Sequence, residues 1–169
     1  MGVFSNNGVQ QRFPKMPKEL DRIDRQILAE LQRDGRLTNA ALAERVHLSP
    51  SACLRRVQRL ERESVIAGYI AVLDPAAVGR ATSVFVEVSL NSQREEALEA
   101  FEQAVRDCPD ILECHLMSGG SDYLLRVAVE NTQDYERIHK QHLSRLPNVA
   151  RIRSSFALRT VCQRRALAL

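Results

Sequence analysis

The first third of the chain carries apolar side chains at the spacing of α-helices. Residues 20–34 and residues 39–46 each place their apolar positions on one face, and a third segment of this kind opens at Ser49. Ser49 can cap the free amides of that third helix, and Pro50 suits its first turn because proline has no N–H to satisfy there. The pattern predicts three short helices, with a tight turn at His47 between the second and the third.

The rest of the chain alternates between strand-like and helix-like patterns. Residues 65–73 are β-prone, and residues 82–90 alternate valines with other side chains, as a strand does. The later segments are predicted as a helix at 94–108, strands at 111–117 and 122–130, a helix at 132–146 capped by Thr132, and a strand at 149–158. From residue 82 the order is β-α-β-β-α-β, which is typical of a ferredoxin-like antiparallel sheet with both helices on one face. The predicted fold class is therefore α+β, with a three-helix (winged) helix-turn-helix domain before the sheet.

The charge is unevenly distributed between these two parts. Residues 1–67 hold 12 Lys and Arg against 8 Asp and Glu, whereas residues 68–169 hold 12 against 13. A basic first part joined to a nearly neutral second part favours a polyanion-binding module attached to a module with another task.

The third helix is the strongest candidate for nucleic-acid chemistry. A basic helix after a sharp turn is the arrangement that enters the DNA major groove, and Arg55 and Arg59 are four residues apart on one face. We expect Arg56 to point instead toward Asp24 of the first helix as a structural ion pair. The predicted DNA-binding residues are Thr38, Asn39, Ser49, Ser51, Ala52, Leu54, Arg55, Gln58 and Arg59.

Other chemistry has little support in the sequence. The four cysteines form no CxxC pair and have no histidines at metal-ligand spacing, and His139 and His142 lack a third ligand, so no metal and no cofactor are predicted. Reduced thiols used as small apolar side chains are expected. No nucleophile, base and orienting group form a recognisable set, and an enzyme is not predicted. No apolar run approaches the roughly 20 residues that cross a bilayer, so the expected location is cytoplasmic.

Several segments together resemble the Lrp/AsnC (leucine-responsive, feast/famine) family of transcriptional regulators. They are LDRIDRQILAELQRDGRLTNAALAERV at 20–46, LSPSACLRRVQRLERESVIAGYIAVLDP at 48–75, FVEVSL at 85–90 and ECHLMSGGSDYLLRV at 113–127. The resemblance implies a DNA-binding helix-turn-helix, a ligand-sensing βαββαβ domain, dimers that assemble into tetramers or octamers, and an amino acid as effector. The sequence departs from the family at His47, where glycine is common, and at Gly120, where an aspartate is common.

The implied domain organisation has five segments. They are a flexible N-terminal arm at 1–18, a helix-turn-helix DNA-binding domain at 19–66, a strand and linker at 67–80, a βαββαβ effector-sensing and oligomerisation domain at 81–160, and a C-terminal tail at 161–169.

The effector site is predicted mainly from the resemblance. Adjacent glycines at 119 and 120 could bring backbone amides close to a carboxylate. Without the resemblance a plain hairpin turn is the favoured explanation of these glycines, and with the resemblance a ligand pocket is favoured. Asp122 could bind an effector's amino group or satisfy turn amides. The predicted effector-binding residues are Ser118, Gly119, Gly120, Asp122, Tyr123, Ser155, Phe156 and Ala157.

The predicted function is sequence-specific DNA binding and transcriptional regulation, modulated by a small molecule, with amino-acid metabolism genes as the expected targets. The alternative is a ligand-binding regulatory subunit of an amino-acid enzyme that does not bind DNA, because βαββαβ modules also serve there. An enzyme using Cys114 or His115 is the third and weakest hypothesis. The expected partners are double-stranded DNA, further copies of the chain and a small-molecule effector, without a membrane.

Overall fold

The computed structural model describes residues 19–169, so the predicted arm at 1–18 lies outside the described residues. Two compact units are present: a helical unit formed by residues up to Val72 together with Cys162–Leu169, and a sheet unit formed by Leu73–Val161. The tail joins the helical unit through Gln32, whose side-chain amide exchanges hydrogen bonds of 3.1 and 2.6 Å with the backbone of Leu167. No helix within 19–169 is long and apolar enough to cross a membrane.

The helical unit contains three helices, each started by a side-chain cap. They are α1 (Arg22–Arg33), α2 (Asn39–Arg45) and α3 (Pro50–Arg62). Asp21 caps α1 in a reciprocal capping box with Asp24, while Thr38 and Ser49 accept hydrogen bonds from amides in the first turns of α2 and α3. Their inner faces form one buried core of Ile27, Leu28, Leu42, Ala43, Val46, Cys53 and Leu60.

The turn between α2 and α3 requires a left-handed backbone. His47 has a φ of 55°, its amide donates to the Glu44 carbonyl at 3.2 Å, and the Leu48 amide donates to the Ala43 carbonyl at 2.9 Å. This confirms the expectation that the turn forms with histidine at position 47. An L-residue in this conformation costs roughly 1–2 kcal/mol, and a β-branched residue tolerates it least.

The β-prone segment at 65–73 does not form a strand, and that prediction is wrong for the single chain. Val65 and Ile66 pack against the helical core, but Tyr69, Ile70 and Val72 are exposed, with Ile70 at 84%. A strand needs a neighbour to satisfy its backbone groups, and none of the strands in the described residues pairs with this segment.

The sheet unit has the predicted β-α-β-β-α-β order. Its elements are β1 (Thr82–Leu90), α4 (Glu95–Arg106), β2 (Ile111–Leu116), β3 (Tyr123–Val129), α5 (Thr132–Gln141) and β4 (Val149–Phe156). The four strands are antiparallel in the order β2-β3-β1-β4. This confirms the ferredoxin-like α+β prediction.

Alternation along β1 and β3 separates the two faces of the sheet. Val84, Val86 and Val88 are fully buried beneath α4 and α5, whereas Phe85 and Glu87 on the other face are exposed. The buried face supplies the core of this unit. The other face remains accessible to a ligand or a partner.

Helix α5 differs from its prediction at both ends. Its cap is Asn131, whose side chain accepts from the Asp134 amide at 3.0 Å, and Thr132 is the first helical residue rather than the cap. The helix ends at Gln141 because His142 leaves the helical conformation, and a short 3-10 turn at Leu143–Arg145 replaces the predicted last turn.

Substitutions at His47 should report the backbone constraint in the turn. We expect His47→Val to lower the free energy of unfolding by about 1–3 kcal/mol, because a β-branched residue is strained most at this φ. His47→Gly should keep or raise the free energy of unfolding, because glycine adopts this φ without strain. Urea denaturation measures both values. His115→Val, the same change at an exposed strand position, is the matched control, and an equal loss there would contradict the explanation.

Candidate DNA interface and effector site

One side of α3 forms an exposed stripe at helical spacing. Ser51, Leu54, Arg55 and Gln58 are all exposed, with Leu54 at 45%. In the part of the chain that the structure describes, the side chains of Arg55 and Gln58 form no hydrogen bond or ion pair. The stripe therefore combines a free cation, a free amide and an apolar side chain, which suits phosphate and base-edge contacts.

Three other predicted DNA-binding residues also hold the helix-turn-helix together. Thr38 and Ser49 are the caps of α2 and α3, and the Ser49 hydroxyl lies 3.3 Å from that of Ser51. The Asn39 side chain donates to the Pro50 carbonyl at 2.8 Å and thereby connects the starts of α2 and α3. Ala52 is half-buried beside this start. These residues fix the position of the exposed stripe.

Asp24 is the one buried charged residue among those described, and it binds two arginines of α3. The carboxylate is 1% exposed and lies 2.8 Å from Arg56 Nη1 and 2.5 Å from Arg59 Nη2. Arg56 Nη1 also lies 2.7 Å from the Asp21 carboxylate. The expected pairing of Arg56 with Asp24 is confirmed. Because both carboxylate oxygens are used, α1 and α3 are joined by charge-assisted hydrogen bonds.

The expected free orientation of Arg59 toward DNA is not what the structure shows. Its Nη2 is engaged by Asp24, and its Nε is buried without a hydrogen-bond partner in the described residues. The side chain is still 40% exposed, so part of the guanidinium faces outward. Arg59 therefore groups with Arg56 in the link to α1, and Arg55 remains the free arginine of the stripe.

The charge network also shifts proton equilibria at its exposed end. A hydrogen bond from the Asp24 amide and the Arg56 guanidinium lower the pKa of the Asp21 carboxyl below its usual value. The same ion pairs raise the pKa of Arg56. Because the folded-state pKa of Asp21 is lowered, its stabilising contribution is present above the unfolded-state pKa and is lost as the pH falls through the folded value.

The predicted effector loop is held by its own backbone and by Asp122. The Met117 amide donates to the Asp122 carbonyl at 2.8 Å, and the Asp122 amide donates to the Val88 carbonyl at 2.9 Å. The Asp122 carboxylate accepts from the Leu90 amide and from the Gln93 side chain, both at 2.7 Å. Of the two expected roles for Asp122, the structure thus shows the satisfaction of backbone amides.

A cleft of about 230 Å³ lies beside this loop on the exposed face of the sheet. It is lined by Glu87, Ser89, Gly120, Ser121, Arg151 and Arg153. Glu87 is directly opposite Arg153 and Ser89 is opposite Arg151 in the β1–β4 register, which brings two cations and one carboxylate together. Arg153 Nη1 lies 3.7 Å from the Glu87 carboxylate. Groups of both signs in one small cleft can bind a zwitterion.

Gly120 is the only predicted effector residue among the lining residues of this cleft. Ser118 and Gly119 are exposed in the adjoining loop. Apart from Gly120 and its two chain neighbours, nothing in the described structure lies within 4 Å of the Cβ position of Gly120, so this loop is open on its outer side. Successive side chains of a strand point to opposite faces of the sheet. This alternation along β1 and β4 is the sequence signal that could have placed Glu87 with Ser89, and Arg151 with Arg153, on the exposed face.

The predicted role of Tyr123 is corrected by its position in the core. The side chain is 1% exposed, its hydroxyl donates to Glu102 at 2.9 Å, and its ring lies 4.5 Å from that of Phe101. Burial and the neighbouring Glu102 raise its pKa. Every second side chain of β3, beginning with Tyr123, is buried on the face that the helices cover. Tyr123 therefore faces α4 and does not line the cleft.

The three predicted effector residues at the end of β4, of which Ala157 follows the strand, are divided between the faces of the sheet. Phe156 packs edge-on against Tyr135 at 5.2 Å and lines a separate cavity of about 380 Å³ beside α5. Ser155 lies opposite Phe85 on the exposed face, and the Ala157 amide donates to the Ser83 carbonyl at 2.9 Å. The three residues therefore do not form one site within a single chain.

The hypothesis of a Cys114 nucleophile is not favoured by the surroundings of that thiol. Cys114 is paired with Leu125 of β3 and packs against the core of the sheet unit. Burial raises the pKa of Cys114 to about 11, so the thiol stays protonated at neutral pH.

A helix-turn-helix whose third helix has one exposed side, together with a βαββαβ unit that carries a cleft, defines a DNA-binding regulator with a ligand-binding module. The comparisons agree with this class. Residues 20–61 match the AsnC-type helix-turn-helix domain, and residues 83–167 match the Lrp/AsnC ligand binding domain. The chain belongs to the Lrp/AsnC family of transcriptional regulators.

Similar proteins cover nearly the whole chain. It is 45% identical over 152 residues to the leucine-responsive regulatory proteins of Klebsiella pneumoniae and Escherichia coli K12, which spans 90% of this chain and 93% of each relative. A crystal structure of a transcriptional regulator from Neisseria meningitidis in complex with L-Met is 36% identical, with a TM-score of 0.83 over 89% of this chain and 97% of that one. An AsnC family regulator from Agrobacterium tumefaciens is also 36% identical, with a TM-score of 0.84 over 88% and 97%.

Removing the negative charge of Asp24 should weaken the link between α1 and α3. We expect Asp24→Asn to lower the free energy of unfolding by about 1–3 kcal/mol. This loss is smaller than that caused by removing one partner of a fully buried ion pair, because both arginines can reach solvent. Thermal or urea unfolding measures the change. Asp34→Asn is the control, because Asp34 is exposed at the end of α1 and its carboxylate accepts from the Arg36 amide and binds no arginine of α3. Equal stability of the two variants would contradict this role for Asp24.

Proposed function

We propose that the chain recognises its operator through the exposed stripe of α3, with Arg55 as the main contact and Gln58, Leu54 and Ser51 beside it. The observation that carries this proposal is the Arg55 guanidinium, which is exposed and unpaired within the described residues while its neighbours Arg56 and Arg59 bind Asp24. A free guanidinium can donate two hydrogen bonds to guanine or to a phosphate. Thr38 and Ser49 are proposed to contact phosphates from the caps that they form, and Asn39 from the first position of α2.

Substitution of Arg55 tests this proposal. A duplex selected from a random library by the wild-type protein serves as the probe. Arg55→Ala should weaken binding about 10- to 100-fold, in line with the loss of one good base contact or of a phosphate contact. Arg62→Ala, at an exposed arginine in the last turn of α3, should change binding much less.

The outcome also separates the two candidate functions. Unchanged affinity and salt dependence in Arg55→Ala would contradict recognition by the stripe. If the wild-type protein selected no duplex at all, the alternative of a regulatory subunit without direct DNA binding would be favoured. Circular dichroism and the sedimentation coefficient of each variant establish that the fold and assembly are retained.

The effector is proposed to be an α-amino acid that binds in the cleft on the exposed sheet face. Its carboxylate would meet Arg151 and the backbone at Gly120, and its ammonium group would meet Glu87, so that each charge has a partner of opposite sign. The L-Met complex of the Neisseria meningitidis regulator and the names of the leucine-responsive relatives support this chemical class. Binding would shift the protein between states that differ in DNA affinity.

A thermal-shift screen against the twenty amino acids tests the effector site, because a ligand that binds only the folded state raises Tm. We expect L-leucine or L-methionine to raise the wild-type Tm, and Arg151→Gln to abolish the rise. Arg145→Gln removes an exposed arginine of the same unit outside the cleft and should retain the response. A response that persists in Arg151→Gln would place the effector elsewhere.

Self-association is proposed to cover the exposed sheet face and to pair the DNA-binding units. Phe85 is 40% exposed at the centre of β1, with Leu124 and Ala128 half-buried on the neighbouring strand. The family resemblance supports a dimer that assembles further into a tetramer or octamer, which acts on cytoplasmic DNA. A symmetric dimer would present two recognition helices to a pseudo-palindromic site.

A further inference from the structure

Three side chains with different metal-binding atoms meet at the ends of α4 and α5. They are Cys108, Asp110 and His142, and the thiol sulfur, a carboxylate oxygen and an imidazole nitrogen all lie within 4.8 Å of one another. Cys108 is 6% exposed, whereas Asp110 and His142 are half-buried. His142 Nε2 lies 3.5 Å from Asp110 Oδ2. One ion at the centre of this triangle could be reached by all three atoms with small side-chain movements.

Ordered backbone positions each of these donors. Cys108 and Asp110 occupy the turn between α4 and β2, where the Cys108 amide donates to the Val105 carbonyl at 3.1 Å and the Ile111 amide donates to the Cys108 carbonyl at 3.2 Å. The His142 amide donates to the Ile138 carbonyl at 2.9 Å at the end of α5. The histidine thus comes from a distant part of the sequence, which is why motif spacing does not detect the cluster.

The donor set suits zinc among the common divalent ions. A thiolate, an imidazole and a carboxylate are the three ligand types that Zn²⁺ uses, and calcium and magnesium would demand oxygen donors instead. The thiolate and carboxylate together balance the charge of the ion. Three protein ligands leave one tetrahedral position for water.

The charged surroundings are compatible with a bound cation. Arg137 Nη2 is 4.0 Å from Asp110 Oδ1, but the same nitrogen lies 2.8 Å from the Asp134 carboxylate, which holds the guanidinium. Asp110 therefore keeps its other oxygen directed at His142. The cluster lies at the ends of the helices that cover one face of the sheet, and none of its residues lines the cleft on the other face.

We propose that Cys108, Asp110 and His142 form a zinc-binding site that joins the end of α4 to the end of α5. As the zinc–sulfur bond forms, the Cys108 thiol releases its proton to solvent. The ion stabilises the sheet unit by connecting two segments that are separate in sequence. This site is independent of the proposed effector cleft and of the DNA-binding stripe.

Cobalt and zinc titrations of the full-length, chelator-treated protein test this site. Co²⁺ serves as the spectroscopic probe because a bond to thiolate gives a charge-transfer band that carboxylate and histidine alone do not give. We expect one Co²⁺ per chain with that band, displacement of the cobalt by Zn²⁺, and a rise in Tm with Zn²⁺. Asp110→Asn and His142→Gln should each weaken binding by more than about 10-fold, since even changes beyond the ligands cost 10- to 100-fold.

Cys108→Ser should remove the charge-transfer band, while Cys114→Ser, Cys162→Ser and His139→Gln should retain it. Because Cys108 is buried and its variant could unfold, the variants at the half-buried Asp110 and His142 test the site independently. Absence of the band in the wild-type protein, or a band that persists unchanged in Asp110→Asn and His142→Gln, would overturn the proposal. Loss of the band in Cys162→Ser would assign the metal to the exposed thiol and would also overturn it.

Discussion

The ion pairs of the buried Asp24 carboxylate are the interaction on which the helix-turn-helix depends. One carboxylate caps the first turn of α1 with Asp21 and binds Arg56 and Arg59 of α3, so the position of the recognition helix is set by a polar contact as well as by the apolar core. A buried charge without its partners is costly, whereas a small apolar core tolerates some rearrangement. The orientation of α3 relative to α1 is therefore specific, and Arg55 is directed outward as a consequence.

Regular patterns in the sequence predicted most of the fold. The alternation at 82–90 gave the bounds of β1, and the capping residues Thr38 and Ser49 gave the starts of α2 and α3. The failures lie where the structure depends on distant partners. Residues 65–73 have the composition of a strand but lack a pairing partner in one chain. Helix α5 ends at Gln141, where local propensity alone would have allowed another turn.

The functional residues were harder to predict than the elements that carry them. Arg59 has the spacing of a DNA contact, but its ion pair with Asp24 is a tertiary contact that helical periodicity does not contain. Tyr123 and Phe156 were assigned to the effector site from loop position or resemblance. The alternation of side chains along β3 and β4 directs both of them toward the helices instead. The cleft requires the β1–β4 register, which pairs Glu87 with Arg153 and Ser89 with Arg151 and cannot be read from either strand by itself.

The pairing of Arg56 and Arg59 with carboxylates limits the affinity of one DNA-binding unit for DNA. Because Arg56 and Arg59 are neutralised by carboxylates, few cations of α3 are free to displace counterions from DNA phosphates. The release of these counterions supplies much of the affinity of DNA-binding proteins. A single unit should therefore be a weak binder. In the proposed dimer, tight binding would then rely on avidity, because the second unit would find its half-site at a high effective concentration once the first has bound.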